Sequence, residues 1–296
     1  MTPKTSCTRD LFSANAACPL IWIKAFFYVN YIIQALPAVY KSPCRILKTL
    51  FTTKFHVMRK IFIFLMLIPV LAISQSKTVL NSFRVYPKTD KQTDFEKALT
   101  NHAQKYHTGD WKWRVWSIES GPESGGYMVT EGPFTWEAMD KRGDISKEHI
   151  TDWNQNVLPL TTGQGISIYP VFKPELSTVQ MTDYADKIII NHMTARPGMI
   201  NAVLELVKRQ KKVWENSKES VAVYSLMASG EPGYITVSRL RGGLKELSEG
   251  YRKPMAERYN EANGAGSFDT FLKDYAMAVQ KRWSELLIYR PELSSK

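Results

Sequence analysis

Apolar residues recur along this chain at two periods, and the switches between them lay out its elements. After Gln75 the first strand is expected near Ser82–Tyr86. Phe95, Ala98, Leu99, His102, Ala103 and Tyr106 then recur at helical spacing and make one apolar stripe. Gly109 is expected to end that helix. Trp111–Glu119 and Tyr127–Glu131 read as strands joined by a Gly/Pro/Ser turn. A second helix carries Ile150, Trp153 and Val157 on one face and closes at Pro159, and Gly165–Phe172 supplies a last strand.

The order then starts again. Lys187–Asn191 is a β-branched strand, and Pro197 suits the start of a helix. Ile200, Val203, Leu206, Val207 and Val213 form that helix's stripe, and Val221–Met227 and Tyr234–Leu240 read as paired strands. A long helix near the end has Ser267 as its expected N-cap and Asp269 in its first turn, where a negative charge suits the dipole. Its stripe of Phe268, Leu272, Tyr275 and Val279 continues to Trp283, and Arg252–Ala265 is an insertion that the first half lacks.

Short matches tie the halves together. Phe172–Ser177 (FKPELS) and Tyr289–Ser294 (YRPELS) share four residues and differ conservatively at two. Val115-Trp116-Ser117-Ile118 parallels Val223-Tyr224-Ser225-Leu226; Ser-Gly follows each, then Gly126-Tyr127-Met128 or Gly233-Tyr234-Ile235. Matches in the same order imply a duplication, with units at 75–180 and 181–296. Each unit reads β-α-β-β-α-β, the split βαβ or ferredoxin-like pattern, which leaves one sheet face bare. Two such units in tandem bury those faces against each other. The chain thus resembles the dimeric α/β-barrel superfamily, which includes antibiotic-biosynthesis monooxygenase-like and NIPSNAP-like domains. That resemblance implies an α+β fold of two tandem ferredoxin-like units forming a pseudo-dimeric barrel. It also implies a monomer, because the repeat replaces a dimer. In that superfamily pockets lie between helices and sheet, and some members bind haem or aromatic substrates.

The segment before Gln75 changes the picture of where the protein works. Met58-Arg59-Lys60, the apolar run Ile61–Ile73 and the small residues Ala72 and Ser74 have the layout of a secretory signal peptide at 58–74. Residues 1–57 are then expected to be upstream sequence translated from too early a start, disordered or non-native. A membrane helix at Leu20–Tyr40 is the weaker account, since Lys24, Asn30, Gln34 and Pro37 interrupt it. Of the net charge of +11, residues 1–57 carry +6 and Arg59-Lys60 carry +2, leaving +3 for the remainder. A nucleic-acid partner is therefore not expected. Cys7, Cys18 and Cys44 all precede Met58, so the exported part has no disulfide, thiolate metal site or cysteine nucleophile. Gln75 stands where a lipoprotein needs cysteine, so no stable membrane anchor is expected after cleavage. The product is expected in the periplasm or outside the cell.

Candidate chemistry is sparse, and each candidate has a structural reading beside it. His102 sits on the apolar stripe of the first helix, as a ligand-binding residue or as a core histidine bonded to a neighbour. His107, five residues on, is expected to face elsewhere, so the two do not make an i, i+4 metal pair. His149 is placed on a helix surface. His192 follows the strand Lys187–Asn191, at a strand end where both sites and ordinary loops begin. No metal site is expected. By strand alternation Trp111 and Trp113 share one face, while Trp116 points the other way with Lys112 and Arg114. Arg84 and Arg114, if inward, are anion-binding candidates, because buried arginine needs a partner. Arg239–Lys253 is basic and glycine-containing but lacks the order of a phosphate loop, and no G-x-S-x-G elbow is present. The ligand-binding candidates are therefore His102, Arg84, Arg114, Trp116 and His192, with catalytic residues and cofactor unknown. Three functions remain open: binding of a small molecule or partner protein, a monooxygenase-like or haem-handling enzyme, or an interaction module without a pocket. A cavity between helix and sheet lined by His102 and an inward arginine favours the first two; a filled core favours the third.

Overall fold

The computed structural model describes residues 76–226 and 228–296. The leader, the signal segment and the three cysteines lie outside the described residues. The elements run β1 (Val79–Val85), α1 (Gln92–Tyr106), β2 (Trp113–Ile118), β3 (Tyr127–Phe134), α2 (Trp136–Arg142), α3 (Lys147–Asp152), β4 (Ser167–Ile168) and β5 (Pro170–Phe172). Then come β6 (Lys187–Ala195), α4 (Ile200–Asn216), β7 (Val221–Leu226), β8 (Gly233–Arg239), α5 (Met255–Asn263), α6 (Ser267–Ala278) and β9 (Val279–Tyr289).

Eight strands close an antiparallel barrel in the order β1–β3–β2–β9–β6–β8–β7–β5, with β5 returning to β1. The two-residue β4 pairs with β1 beside β5. Two pairings cross between the first and second halves: Trp116 of β2 lies opposite Tyr289 of β9, and Tyr224 of β7 opposite Phe172 of β5. Closure leaves no open edge in the ring. It also buries both faces of several strands, which is why Val221–Tyr224 reads as a continuous apolar run and is buried throughout. Within β2, Trp116 and Ile118 turn into the lumen, while Trp113 and Val115 turn out under α1. The alternation expected for Trp113 and Trp116 therefore holds; Trp111 lies before the strand, in a short 3-10 turn against Phe134.

The PELS matches acquire a physical role. A 3-10 turn follows β5 at Pro174–Leu176 and another follows β9 at Pro291–Leu293. Ser177 Oγ donates to Lys173 O at 2.7 Å and accepts from Val223 N at 2.8 Å. Ser294 Oγ donates to Arg290 O at 2.8 Å and accepts from Val115 N at 3.0 Å. Each serine thus satisfies a backbone donor on a strand of the other half, at one of the seams that close the barrel.

Several expected boundaries move. The last helix stops at Ala278 instead of running to Trp283, because Val279–Tyr289 is claimed as a strand by β6 on one side and β2 on the other. Trp283, expected on the helical stripe, stacks on His192 across that pairing, with ring centroids 3.7 Å apart. Ser267 is not the N-cap: Gly266 holds that position in the left-handed region, and Asn260 Oδ1 accepts from Phe268 N. His192 lies inside β6, which extends to Ala195, and not in a loop. The expected helix through Ile150, Trp153 and Val157 is α3 followed by a π-turn, with Val157 buried and Ile150 exposed. The insertion Arg252–Ala265 contains α5, whose Tyr259 is fully buried against the second helical layer. Among the described residues no helix is long and apolar enough to cross a membrane.

Candidate functional site in the barrel lumen

The barrel encloses a cavity of about 70 Å³. Its middle is apolar, walled by residues such as Leu80, Ile168, Ile188, Ile190 and Ile235, with Trp116, Met128 and Tyr224 among them. At about 10–15 Å³ per water-sized position, this is room for roughly six such positions, about half of the ~150 Å³ that admits benzene, and so for a short chain of a few heavy atoms.

One group of polar residues is held by Arg84, which points inward from β1 and is buried. Its guanidinium forks onto Glu285, with Nη1 to Oε2 at 2.6 Å and Nη2 to Oε1, and Nη1 also donates to Glu123 at 2.5 Å. His192 Nε2 lies 2.9 Å from Glu285 Oε1, and its ring stacks on Trp283. Burial opposes the charge on Arg84, but the bonds and charges of Glu285 and Glu123 outweigh it and hold the pKa above its ordinary value. Burial likewise pushes Glu285 up, but Arg84 and His192 prevail and hold it below the usual carboxylate range. Arg84 is therefore inward, with its charge already paired by Glu285 and Glu123.

A second group surrounds Arg239, also buried and lining the cavity. It donates to the carbonyls of Gln180 at 2.8 Å and Met181 at 3.1 Å, with Asp183 3.8 Å away. Its acceptors are mainly neutral, and burial depresses its pKa. Tyr224 beside it is pushed up to about 12 by burial. Arg114 lies over the Tyr184 ring at 3.9 Å and does not line the cavity. The segment after Arg239 needs no external anion either: Glu246 Oε1 accepts from Gly242 N at 2.5 Å, and its other oxygen pairs with Arg252.

Trp116 differs from these. Its side chain lines the cavity with 4% exposure, and its indole Nε1 has no hydrogen-bond partner among the described residues. A buried donor without an acceptor costs about 1–3 kcal/mol.

The structure thus brings Arg84, Trp116 and His192 to one lumen and leaves Arg114 beside it. His102 is elsewhere. It lies on the outer side of the sheet, under α1, where Trp113, Trp153 and Leu99 pack. The cavity that Arg84 lines does not include His102, because β1 alternates and sends Arg84 to the lumen and Val85 to the outer layer. His107, expected to face elsewhere, and His149, expected on a helix surface, both meet His102: its ring is 5.3 Å from His107 and 4.8 Å from His149. The spacing rule fails because His107 follows the end of α1, where the backbone has left the helical path. Glu285, Glu123 and Arg239 were missed as site residues. A strand reading of Ser284–Tyr289 would have put Glu285 and Leu287 on one face, a carboxylate at an inward position.

No protein-family model matches this chain, and no curated protein matches it. Among solved structures it is similar to an anthrone oxidase-like protein, with 15% identity over 73% of this chain and 92% of that one and a TM-score of 0.49. It is also similar to a monooxygenase-like protein from Lactobacillus acidophilus NCFM, with 10% identity over 74% and 96% and a TM-score of 0.42. A chlorite dismutase variant from Candidatus Nitrospira defluvii follows at 7% identity over 72% and 92%, with a TM-score of 0.43. All three have TM-scores below 0.5 and are likenesses only. Function has to come from this chain's own side chains.

Proposed function

We propose that this protein binds, in the barrel lumen, a small and mainly apolar molecule bearing a hydrogen-bond-accepting oxygen. The carrying observation is the buried indole N–H of Trp116, which has no acceptor among the described residues and belongs to a side chain that lines an apolar cavity. Arg239 supplies a further donor group on the same cavity wall. Haem does not fit. The lumen is far smaller than a macrocycle, and His102, His107 and His149 crowd one another within 4.8 Å instead of presenting a nitrogen to an open face.

The test uses acetone, with 2-methylpropene as the isosteric control that lacks an acceptor. Acetone is expected to shift the Trp116 indole N–H resonance, assigned by its loss in Trp116→Phe, and that variant is expected to bind about tenfold more weakly, as one hydrogen bond is lost. Equal binding of both probes would leave a nonselective apolar cavity. An indole resonance unmoved by either would favour an interaction module. Oxygen uptake on adding the ketone would move the reading to a monooxygenase-like enzyme.

Two further readings belong with this one. The barrel is a fusion of two ferredoxin-like units, 75–180 and 181–296, acting as a monomer. The reciprocal serine bonds and the matched seams at Trp116/Tyr289 and Tyr224/Phe172 support it. The protein is exported from a start at Met58, as the pattern of Met58–Ser74 suggests. Intact mass from the native host is then expected to place the first residue at or near Gln75; a mature form still carrying Cys18 would refute export from that start.

A further inference from the structure

Three imidazoles converge outside the barrel, on the far side of the sheet from the lumen. His102 comes from the penultimate turn of α1, His107 from the residue after that helix, and His149 from the first turn of α3. His102 and His107 are fully buried, and His149 is partly exposed. One ring nitrogen from each lies within 4.8 Å of the others. The rings are held from outside. His107 stacks on Trp113 with centroids 3.5 Å apart, and His149 stands in the first turn of a helix whose N-cap Ser146 accepts its backbone N–H at 3.1 Å.

The tautomers follow from the partners. His102 Nδ1 is 2.7 Å from Asp152 Oδ2, His107 Nδ1 is 3.1 Å from Glu131 Oε1, and His149 Nδ1 is 2.9 Å from the Asp144 carbonyl. A carbonyl oxygen can only accept. Glu131 is ionised, paired with Arg142 Nε at 3.0 Å, and Asp152 also takes a bond from Asn156 Nδ2 at 2.8 Å. Each Nδ1 therefore carries a proton, and in each neutral ring the lone pair sits on Nε2. Two of those atoms, on His107 and His149, face each other at 3.2 Å. The third, His102 Nε2, is buried with no partner among the described residues. Two lone pairs at that distance repel unless a cation lies between them.

We propose that His102, His107 and His149 bind one divalent transition-metal ion through their Nε2 atoms. Zinc–imidazole bonds of about 2.0–2.1 Å in a tetrahedral arrangement set nitrogens roughly 3.3 Å apart, close to the His107–His149 separation. The donors are all imidazoles, which suit zinc, cobalt, nickel, copper or ferrous ions and not magnesium or calcium. Each ligand's second nitrogen donates to a carboxylate or a carbonyl, the outer arrangement that fixes a metal-binding histidine's tautomer and raises its basicity. Three protein ligands leave one coordination position for water or another small molecule. The site is separate from the lumen and uses none of the lumen's residues.

The test takes the chain from Gln75 stripped with chelator, and titrates it with Zn²⁺ by calorimetry and with Co²⁺ by visible absorption. The expected result is one ion per chain, with the intense absorption of tetrahedral cobalt and no uptake of Mg²⁺ or Ca²⁺. His149→Ala, at the most exposed ligand, is expected to abolish the cobalt band while circular dichroism stays unchanged. Asp152→Asn, which keeps all three ligands, is expected to weaken Zn²⁺ binding about 10–100-fold. Trp116→Phe should leave metal uptake unchanged, so failure of the lumen reading and failure of this one are distinguishable. The proposal is overturned if the unaltered chain takes up no ion, or if uptake survives His149→Ala. A shared His107–His149 proton seen by NMR in a chain that binds no metal would identify the pair as a hydrogen bond only.

Discussion

Glu285→Ala is expected to cost about 3–5 kcal/mol of stability, the usual effect of removing one partner from a buried ion pair. The carboxylate is fully buried and receives both arms of the Arg84 fork and the His192 ring. Truncating it leaves Arg84 buried with Glu123 alone. For a chain of this size that is a drop of about 10 °C in Tm, read by thermal unfolding; a change within about 2 °C would mean that water or Glu123 satisfies Arg84 without it. The pair is not an efficient source of stability, because two desolvated charges give little net gain over apolar packing. Arg84→Met combined with Glu285→Leu is therefore expected to recover most of the loss. The same carboxylate sets an acid limit. Its folded pKa lies below the ordinary value of 4.5, so below that value the unfolded chain binds more protons. Its contribution is complete above about pH 4.5 and is lost as pH falls through the folded pKa. Glu285→Gln, with no carboxylate to titrate, should show a shallower loss there.

Legibility from sequence followed how local the governing interaction was. The stripe of α1, the β2–β3 hairpin and the α4 stripe depend on near neighbours and are legible to within a few residues, while the PELS match shows a repeat without showing that each copy is a 3-10 turn. The strand β9 depends on β6 and β2, which lie far away in sequence, and Phe268–Val279 has a helical period that runs up to it without a break. Its strand state, and with it the inward face of Glu285, was not visible locally. The three histidines failed for a related reason. Spacing rules find ligands that share one helix, whereas here α1, the residue after it and α3 meet over Trp113 and Glu131 of the sheet. A buried histidine in an apolar stripe was the only signal, and it pointed to His102 alone.

Closure of the barrel also decides how the chain should unfold. The described residues belong to one compact unit, and the seams β2–β9 and β5–β7 join the two halves by backbone pairing. Phe95 is fully buried in the outer layer of the first half, and Leu206 is almost fully buried in that of the second. Phe95→Ala is expected to cost about 3–5 kcal/mol and Leu206→Ala about 2–5 kcal/mol, from lost burial and the cavity left behind. Neither half can lose its outer layer and keep its sheet, because each sheet's edges are completed by the other's strands. Both substitutions should therefore lower a single cooperative transition. Urea unfolding followed by tryptophan fluorescence, with Trp113 in one layer and Trp214 in the other, should coincide with the loss of circular dichroism in both variants. Two separated transitions, with Phe95→Ala moving only one of them, would mean that the halves fold as independent domains and that the seams are not a source of cooperativity.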